Sequence, residues 1–195
     1  MIRLFTALCK SLLKKISEDD AFYESINDSD LYRTACPRCG TAGKYSEYGS
    51  YVRNHVSCVE YKIIEAHVRP SRVKCLSCNR THALLPDTLT PYSPYTLCFK
   101  LLVLTAYYGR DTNVIDICDR FGIAVSTLYE WKKVMTTHKD FMLGVLISRK
   151  IPALEFLRNL LGAADISDIL RIFFNKYGLS FMQDASVSVT LSGLP

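Results

Sequence analysis

Apolar and polar positions divide the 195-residue chain into a helical start, a strand-like middle and a helical second half. Apolar residues recur at helical spacing over residues 2–17, which predicts an amphipathic helix that packs on the rest of the protein. A polar linker is expected to follow, up to residue 35. From residue 44 to residue 85 the pattern changes to β-strands, with a hairpin turn at Gly49-Ser50.

Three segments with helical periodicity follow a proline-rich connector. They are residues 95–108, 113–121 and 127–137. Their expected N-caps are Ser93, Thr112 and Ser126. The last two of these helices, joined by a turn that begins at Gly122, predict a helix-turn-helix. The helix over residues 95–108 supports them. Trp131 is expected on the buried side of the last helix. Two more helices are predicted over residues 152–161 and 166–177, and residues 183–195 are a strand or a loose end.

Two C-x-x-C pairs carry the strongest chemical signal, Cys36-Pro37-Arg38-Cys39 and Cys75-Leu76-Ser77-Cys78. Two thiolates at this spacing lie on one tight turn and bind the same ion, so two turns complete a tetrahedron. Gly40 and Asn79, which follow the pairs, tolerate the left-handed backbone that such turns need. A site closed by four cysteines predicts one structural Zn²⁺. His82 has zinc-finger-like spacing from Cys78 and is an alternative ligand.

The remaining cysteines show no metal-binding spacing. Cys58 is expected to be a buried thiol. Cys9, Cys98 and Cys118 fall on apolar helical faces, where free cysteine behaves as a small hydrophobe. Because no convincing signal peptide precedes them, a cytoplasmic protein with reduced thiols is expected. No run of eighteen apolar residues occurs, so no membrane span is expected.

These patterns predict an α+β fold with a small zinc-ribbon β module, a three-helix helix-turn-helix domain and a C-terminal helical tail. The expected boundaries are residues 1–35 for the N-terminal helix and linker, 36–92 for the ribbon, 93–138 for the helix-turn-helix and 139–195 for the tail. Apolar faces in residues 141–177 leave a homodimer open.

The net charge of +5 is concentrated in the segment that the cysteines bound. Residues 36–82 carry eight basic and three acidic side chains, whereas the rest of the chain is nearly balanced. Such a segment attracts a polyanion such as DNA, and the alternative is a solvated basic hairpin without a ligand.

Candidate DNA contacts follow from both predicted modules. The first turn of the second helix of the helix-turn-helix is expected to face base edges, and the lysines one turn later suit phosphates. The candidates are Val125, Ser126, Thr127, Tyr129, Lys132 and Lys133, joined in the ribbon by Arg53, Arg69 and Arg72. The alternative is a three-helix scaffold that binds protein.

Catalysis finds little support in the sequence, and the chain is not expected to be an enzyme. The acidic residues cluster in the linker and on helix surfaces, without the α/β alternation that carries a two-metal nuclease site. His55, His67 and His138 have no nucleophile or metal partner at a suitable spacing.

The motifs resemble the DNA-binding front end of bacterial insertion-sequence transposases. They are Cys-Pro-Arg-Cys-Gly at residues 36–40, Val-Lys-Cys-Leu-Ser-Cys-Asn-Arg-Thr-His-Ala-Leu-Leu-Pro at 73–86 and Gly-Ile-Ala-Val-Ser-Thr-Leu-Tyr-Glu-Trp-Lys-Lys at 122–133. Residues 36–137 are also similar to small zinc-ribbon and helix-turn-helix proteins encoded beside such transposases.

The resemblance implies recognition of the repeats at the ends of a mobile element, with catalysis by a separate transposase chain. The chain is therefore expected to bind double-stranded DNA sequence-specifically, as an accessory or truncated transposase subunit. Two alternatives remain open. One is a transcriptional regulator; the other is a protein-interaction adaptor that docks through the ribbon and through residues 2–17.

Overall fold

The computed structural model describes residues 1–4, 33–59, 62–87, 89–110, 112–146 and 151–184. These residues form a mixed α+β structure, as expected. Its strands are β1 (Ile2–Leu4), β2 (Tyr45–Ser50), β3 (Arg53–Val59), β4 (Lys62–Val68), β5 (Ser71–Cys75) and β6 (Thr81–Pro86). Its helices are α1 (Leu97–Gly109), α2 (Val114–Phe121), α3 (Val125–Leu146), α4 (Ala153–Gly162) and α5 (Ile166–Tyr177).

The chain divides into two compact units. The β unit comprises Met1–His55 and Glu65–Asp87, and the helical unit comprises Val56–Ile64 and Thr88–Pro195. Strands β3 and β4 pair as a two-stranded sheet, and both units include parts of this pair.

The β unit is built on a four-stranded sheet in the order β1-β6-β5-β2. Strand β5 is antiparallel to both β2 and β6, whereas β1 runs parallel to β6 with Ile2 opposite Leu84. Alternate residues of a strand point to the same face, and this sheet buries Ile2, Val73 and Leu84 in one apolar cluster, with Tyr45 packed against it. The other face of the sheet carries the polar residues Ser46, Arg72, Lys74 and Thr81, together with Ala83 and the buried Leu85.

The helix predicted over residues 2–17 is wrong for Ile2–Leu4, which form β1. The apolar Ile2 is buried among partners from β5 and β6, more than 70 residues away in the chain. Helical spacing alone could not show those partners. The rest of the predicted helix lies outside the described residues.

The hairpin turn predicted at Gly49-Ser50 is also wrong, because both residues belong to β2. The pairing of β2 with β5 is irregular between Glu47 and Gly49, and Gly49 adopts a φ of 97°. A β-bulge therefore uses the conformational freedom of Gly49 that the sequence suggested for a turn.

Helices α1, α2 and α3 pack against one another in the helical unit. Phe99 is fully buried and makes edge-to-face ring contacts with Phe121 and Trp131, at centroid distances of 5.9 and 6.2 Å. Such pairs add about 0.5–1.5 kcal/mol each to the stabilisation from burial. The prediction that Trp131 is a core residue is confirmed, since only 5% of its surface is exposed.

The predicted N-caps differ from those observed. Thr96, not Ser93, caps α1, and its hydroxyl accepts from the Phe99 amide at 3.1 Å. Ser93 instead accepts from the Tyr95 amide, which makes a local turn ahead of the helix. Because the helix begins at Leu97, the cap position falls on Thr96, the residue directly before it.

The same correction applies to the next two helices. Asn113 caps α2 and accepts from the Asp116 amide at 2.9 Å, while Thr112 donates to the Asp116 carboxylate. Helix α3 already begins at Val125, so Ser126 lies in its first turn and is not the cap.

Helices α4 and α5 confirm the two helices predicted in the tail. Helix α4 packs on α1, and α5 packs on α3. Gln183 and Asp184 are described without strand structure, and residues 185–195 lie outside the described part. Among the described helices, none is long and apolar enough to cross a membrane.

Candidate metal centre and candidate nucleic-acid interface

Two turns with the same hydrogen-bond pattern place the four cysteines. In the first, the Gly40 amide donates to the Cys36 carbonyl at 2.8 Å; in the second, the Asn79 amide donates to the Cys75 carbonyl at 2.8 Å. Gly40 and Asn79 adopt φ values of 73° and 58°. The left-handed conformation expected at both positions is therefore confirmed.

The four Sγ atoms of Cys36, Cys39, Cys75 and Cys78 lie within 4.8 Å of one another. Cys36 and Cys78 are 3.8 Å apart, and Cys39 and Cys75 are 3.7 Å apart. A tetrahedron with metal–sulfur bonds of about 2.3 Å has sulfur–sulfur edges of about 3.8 Å. The described cluster therefore fits a tetrahedrally coordinated metal ion.

The electrostatics of the cluster favour a bound cation. Hydrogen bonds from the Thr41 side chain and amide lower the pKa of Cys39 to about 6. Amide hydrogen bonds from Cys78 and Ser77 lower the pKa of Cys75. At Cys78 the Arg80 amide favours the thiolate, but burial and the neighbouring cysteines outweigh it and raise the pKa to about 11. Four adjacent thiolates repel one another, and a divalent cation would relieve that repulsion.

His82 contacts the cluster without belonging to it. It lies in β6 opposite Val73, and its Nε2 atom is 3.3 Å from the Cys36 Sγ. The group of mutually close donor atoms consists of the four cysteines. His82 is thus a strand residue that can hydrogen-bond to the Cys36 sulfur, as residues around metal sites do when they orient and tune the ligands.

Tyr45 is a neighbour of the cluster that sequence reasoning missed. It pairs with Cys75 across β2 and β5, and its hydroxyl is buried. Burial, followed by repulsion from the thiolates of Cys36 and Cys75, raises the pKa of Tyr45 to about 12. The sequence signal for this residue was only its position near the first cysteine pair.

The other described cysteines take no part in the cluster. Cys58 and Cys118 are buried, as predicted, while Cys98 is only partly buried. Burial raises the pKa of Cys98 to about 11, which makes it a poor nucleophile. No disulfide joins the cysteines in the described ranges. Cys9 lies outside them.

A tight turn fixes the angle between α2 and α3. Gly122 ends α2 at φ 59°, and its amide donates to the Asp119 carbonyl while the Ile123 amide donates to the Cys118 carbonyl. This is the Schellman arrangement, which satisfies the last carbonyls of a helix. Three residues, Gly122 to Ala124, therefore separate the two helices.

The first turns of α3 present one buried and one exposed face. Leu128, Trp131 and Met135 are buried in the core. The predicted contact residues fall on the other side: Val125, Ser126, Tyr129 and Lys133 are exposed, and Thr127 and Lys132 are partly buried.

Lys132 lies between two tyrosine rings at this surface. Its Nζ atom is 5.3 Å from the centroid of Tyr107 and 5.6 Å from that of Tyr129. The Tyr107 hydroxyl is the main cause of a raised pKa at Lys132. The lysine is therefore charged at neutral pH. Tyr107 was missed because it lies on α1, outside the predicted recognition segment.

The predicted arginines lie on different strands. Arg53 begins β3 and is partly buried, and Arg69 follows β4 and is exposed. Arg72 lies in β5, where its guanidinium carbon is 5.5 Å from the Tyr48 ring centroid. Sequence reasoning missed Tyr48 as a partner of Arg72, because the bulge in β2 brings them together.

The fold and the site define a mixed α+β protein with a four-cysteine candidate metal centre. Residues 36–131 match the family model described as a domain of unknown function (DUF6431). The matched segment contains both C-x-x-C pairs and extends into α3 as far as Trp131. No curated protein and no solved structure matches the chain.

Proposed function

We propose that this chain is a zinc-stabilised protein that binds double-stranded DNA sequence-specifically through a helix-turn-helix. The observation that carries the proposal is the exposed first turn of α3, which follows a three-residue turn and is backed by a buried apolar face. In a helix-turn-helix, the second helix enters the major groove with its N-terminal residues against base edges.

The metal in the proposal is one structural Zn²⁺. Four thiolates leave no open coordination position, and a soft, all-sulfur tetrahedral donor set favours zinc over magnesium or calcium. In zinc-finger peptides the bound ion contributes about 10–16 kcal/mol of folding free energy at neutral pH. Here it would join the turn that precedes β2 to the turn between β5 and β6.

In the proposed complex, α3 provides both specific and general contacts. Ser126 and Thr127 donate to or accept from base edges, and Val125 suits a thymine methyl group. Tyr129 makes a further DNA contact at the edge of this surface. Lys132 and Lys133 lie one turn further and contact phosphates, which fixes the register without reading sequence.

The β unit would supply further phosphate contacts through Arg53, Arg69 and Arg72. The support is the charge distribution, since residues 36–82 hold eight basic and three acidic side chains. Phosphate contacts of this kind raise affinity for all sequences and make binding salt-dependent.

We assign the chain to a transposase-associated role on the strength of the motif resemblance. In that role it binds the ends of a mobile element, and a separate transposase chain cuts the DNA. Regulation of transcription is the alternative use of the same DNA-binding surface. Sites selected from a random DNA pool distinguish the two: terminal repeats support the first, and promoter sequences support the second.

The test of DNA binding compares two sets of variants of α3. Ser126→Ala with Thr127→Ala should change the selected sequence, while Lys132→Ala should weaken binding to all sequences and reduce the salt slope by about one. Thr136→Ala, on the exposed side of α3 three turns from its start, is the matched control. If neither set alters binding, the recognition assignment is wrong. If the wild-type chain binds no duplex at low salt, a protein-interaction adaptor becomes the better proposal.

A further inference from the structure

Cationic, aromatic and hydroxyl side chains lie together on the face of the four-stranded sheet opposite the apolar cluster, beside Ala83 and the buried Leu85. Lys74 pairs with Ser46 on one side and with Thr81 on the other, so these three residues share a face. Arg72 is two residues from Lys74 and projects to the same side, where it meets Tyr48. We call these residues the outer face: Ser46, Tyr48, Arg72, Lys74 and Thr81.

Contacts within the outer face hold its arginine in place. The Arg72 Nη2 atom donates to the Thr81 hydroxyl at 3.0 Å, and the guanidinium carbon lies 5.5 Å from the Tyr48 ring centroid. An arginine held by a hydroxyl and an aromatic ring loses less freedom when it binds a phosphate.

Tyr48 is the aromatic group of this face, and 54% of its surface is exposed. An exposed aromatic ring beside cations has two common uses, a protein contact or base stacking. The core of a protein interface is depleted of charged residues, and lysine is under-represented there. Tyr48 contacts the Arg72 guanidinium, and Lys74 lies on the same face two residues from Arg72. This pairing of an exposed ring with two cations suits nucleic acid.

The charge of the outer face is positive. Arg72 and Lys74 contribute two positive charges, and the acidic residue of β2, Glu47, pairs with Val73 of the apolar face. A positive strip that carries a stacking ring matches the two chemical features of an unpaired strand, its phosphates and its exposed base faces.

We propose that the outer face binds single-stranded DNA. Tyr48 stacks on one base, and Arg72 and Lys74 contact the phosphates on either side. Bases within a duplex are already stacked and offer no free face to Tyr48, so the site favours an unpaired strand. The choice of DNA over RNA rests on the proposed function, whereas the stacking and phosphate contacts rest on the geometry of the β unit.

The test measures binding of the full zinc-loaded chain to a fluorescent twelve-nucleotide single strand by anisotropy. Tyr48→Ala should weaken binding roughly 5- to 150-fold, the range for loss of one stacked base. Tyr48→Phe should keep the affinity, since the ring remains. Tyr92→Ala is the matched control, because Tyr92 lies in the helical unit and is 56% exposed. Zinc content and circular dichroism show that each variant is folded.

A second pair of variants tests the phosphate contacts. Arg72→Ala should weaken single-strand binding and reduce its salt slope by about 0.7. Lys62→Ala removes the same charge from an exposed position of β4. It should change the single-strand affinity and the salt slope less than Arg72→Ala does. Equal effects of the two variants would show that only net charge matters and would overturn the site.

Single-strand and duplex binding are measured separately, so the two proposals can fail independently. If the wild-type chain binds no single strand, or if Tyr48→Ala binds it equally well, the outer-face site is wrong even when duplex binding by α3 is intact. If the single strand binds through Tyr48 but no duplex does, the helix-turn-helix proposal fails and the outer-face site stands. Tighter binding of RNA of the same sequence would overturn the assignment to DNA.

Discussion

Replacing Cys75 with serine removes one of four sulfur donors from the candidate metal centre and leaves the shape of the side chain nearly unchanged. The Cys75 side chain is fully buried, and its Sγ lies 3.7 Å from that of Cys39. A serine hydroxyl at this position is a much poorer zinc ligand than a thiolate. Because Cys75 is on the buried side of the cluster, water is poorly placed to substitute for its sulfur.

The expected loss follows from sharing the zinc contribution among four ligands. A folding contribution of about 10–16 kcal/mol gives about 2.5–4 kcal/mol for each sulfur. A factor of ten in affinity corresponds to about 1.4 kcal/mol, so Cys75→Ser should weaken zinc binding roughly 10²- to 10³-fold. The apolar cluster of Ile2, Val73 and Leu84 contributes about 1.5–3 kcal/mol per side chain and cannot replace the metal alone.

Competition with a chelator of known affinity measures the zinc affinity, and metal analysis gives the stoichiometry. Cys58→Ser is the matched control, because Cys58 is also buried but lies outside the cluster. It should lower stability by about 1–3 kcal/mol and leave zinc binding unchanged. Equal zinc affinity of Cys75→Ser and the wild type, or equal loss in both variants, would refute the four-sulfur assignment.

Three further changes test the fold around the sites. Trp131→Ala should destabilise the helical unit by about 3–5 kcal/mol in urea unfolding. Tyr129 is 46% exposed and contacts Lys132, so Tyr129→Ala should cost about 1 kcal/mol or less; similar losses would contradict the burial pattern of α3. Asn113→Ala should cost about 1 kcal/mol through loss of the α2 cap, and an unchanged melting curve would contradict the cap. Burial lowers the pKa of His55 to about 4, so its stabilisation is complete above the unfolded pKa of about 6.5 and is lost as the pH falls toward 4. Between pH 7 and 4.5 the wild type should lose about 2–3 kcal/mol more than His55→Gln, and parallel pH curves would contradict this.

Local signals predicted the four-cysteine cluster and most helices. The geometry of each C-x-x-C turn depends only on neighbouring residues, including Gly40 and Asn79 after the pairs. The two turns therefore form as the sequence indicates. The same holds for α2, where apolar spacing and Gly122 define the end of the helix. The pairing of the two turns with each other was inferred from chemistry, because a closed site needs four sulfurs.

Features that depend on distant partners were not predicted. The short segment Ile2–Leu4 has no local signal for a strand, since its partner β6 lies more than 80 residues further along the chain. The bulge at Gly49 looked like a turn because glycine permits both. The contact of Tyr48 with Arg72, and that of Lys132 with Tyr107, also require the tertiary fold. The charge pattern indicates the cations of both candidate nucleic-acid surfaces, and these contacts add their aromatic partners.

The parallel pairing of β1 with β6 has a consequence during protein synthesis. Ile2 lies opposite Leu84, so the first strand is made 82 residues before its partner. At about 5–20 residues per second, that interval is about 4–16 s. The thiols of Cys36 and Cys39 are likewise made before those of Cys75 and Cys78. During that interval the first two thiols are open to oxidants and competing metals. The four-stranded sheet can therefore form in full only after residue 86 has left the ribosome.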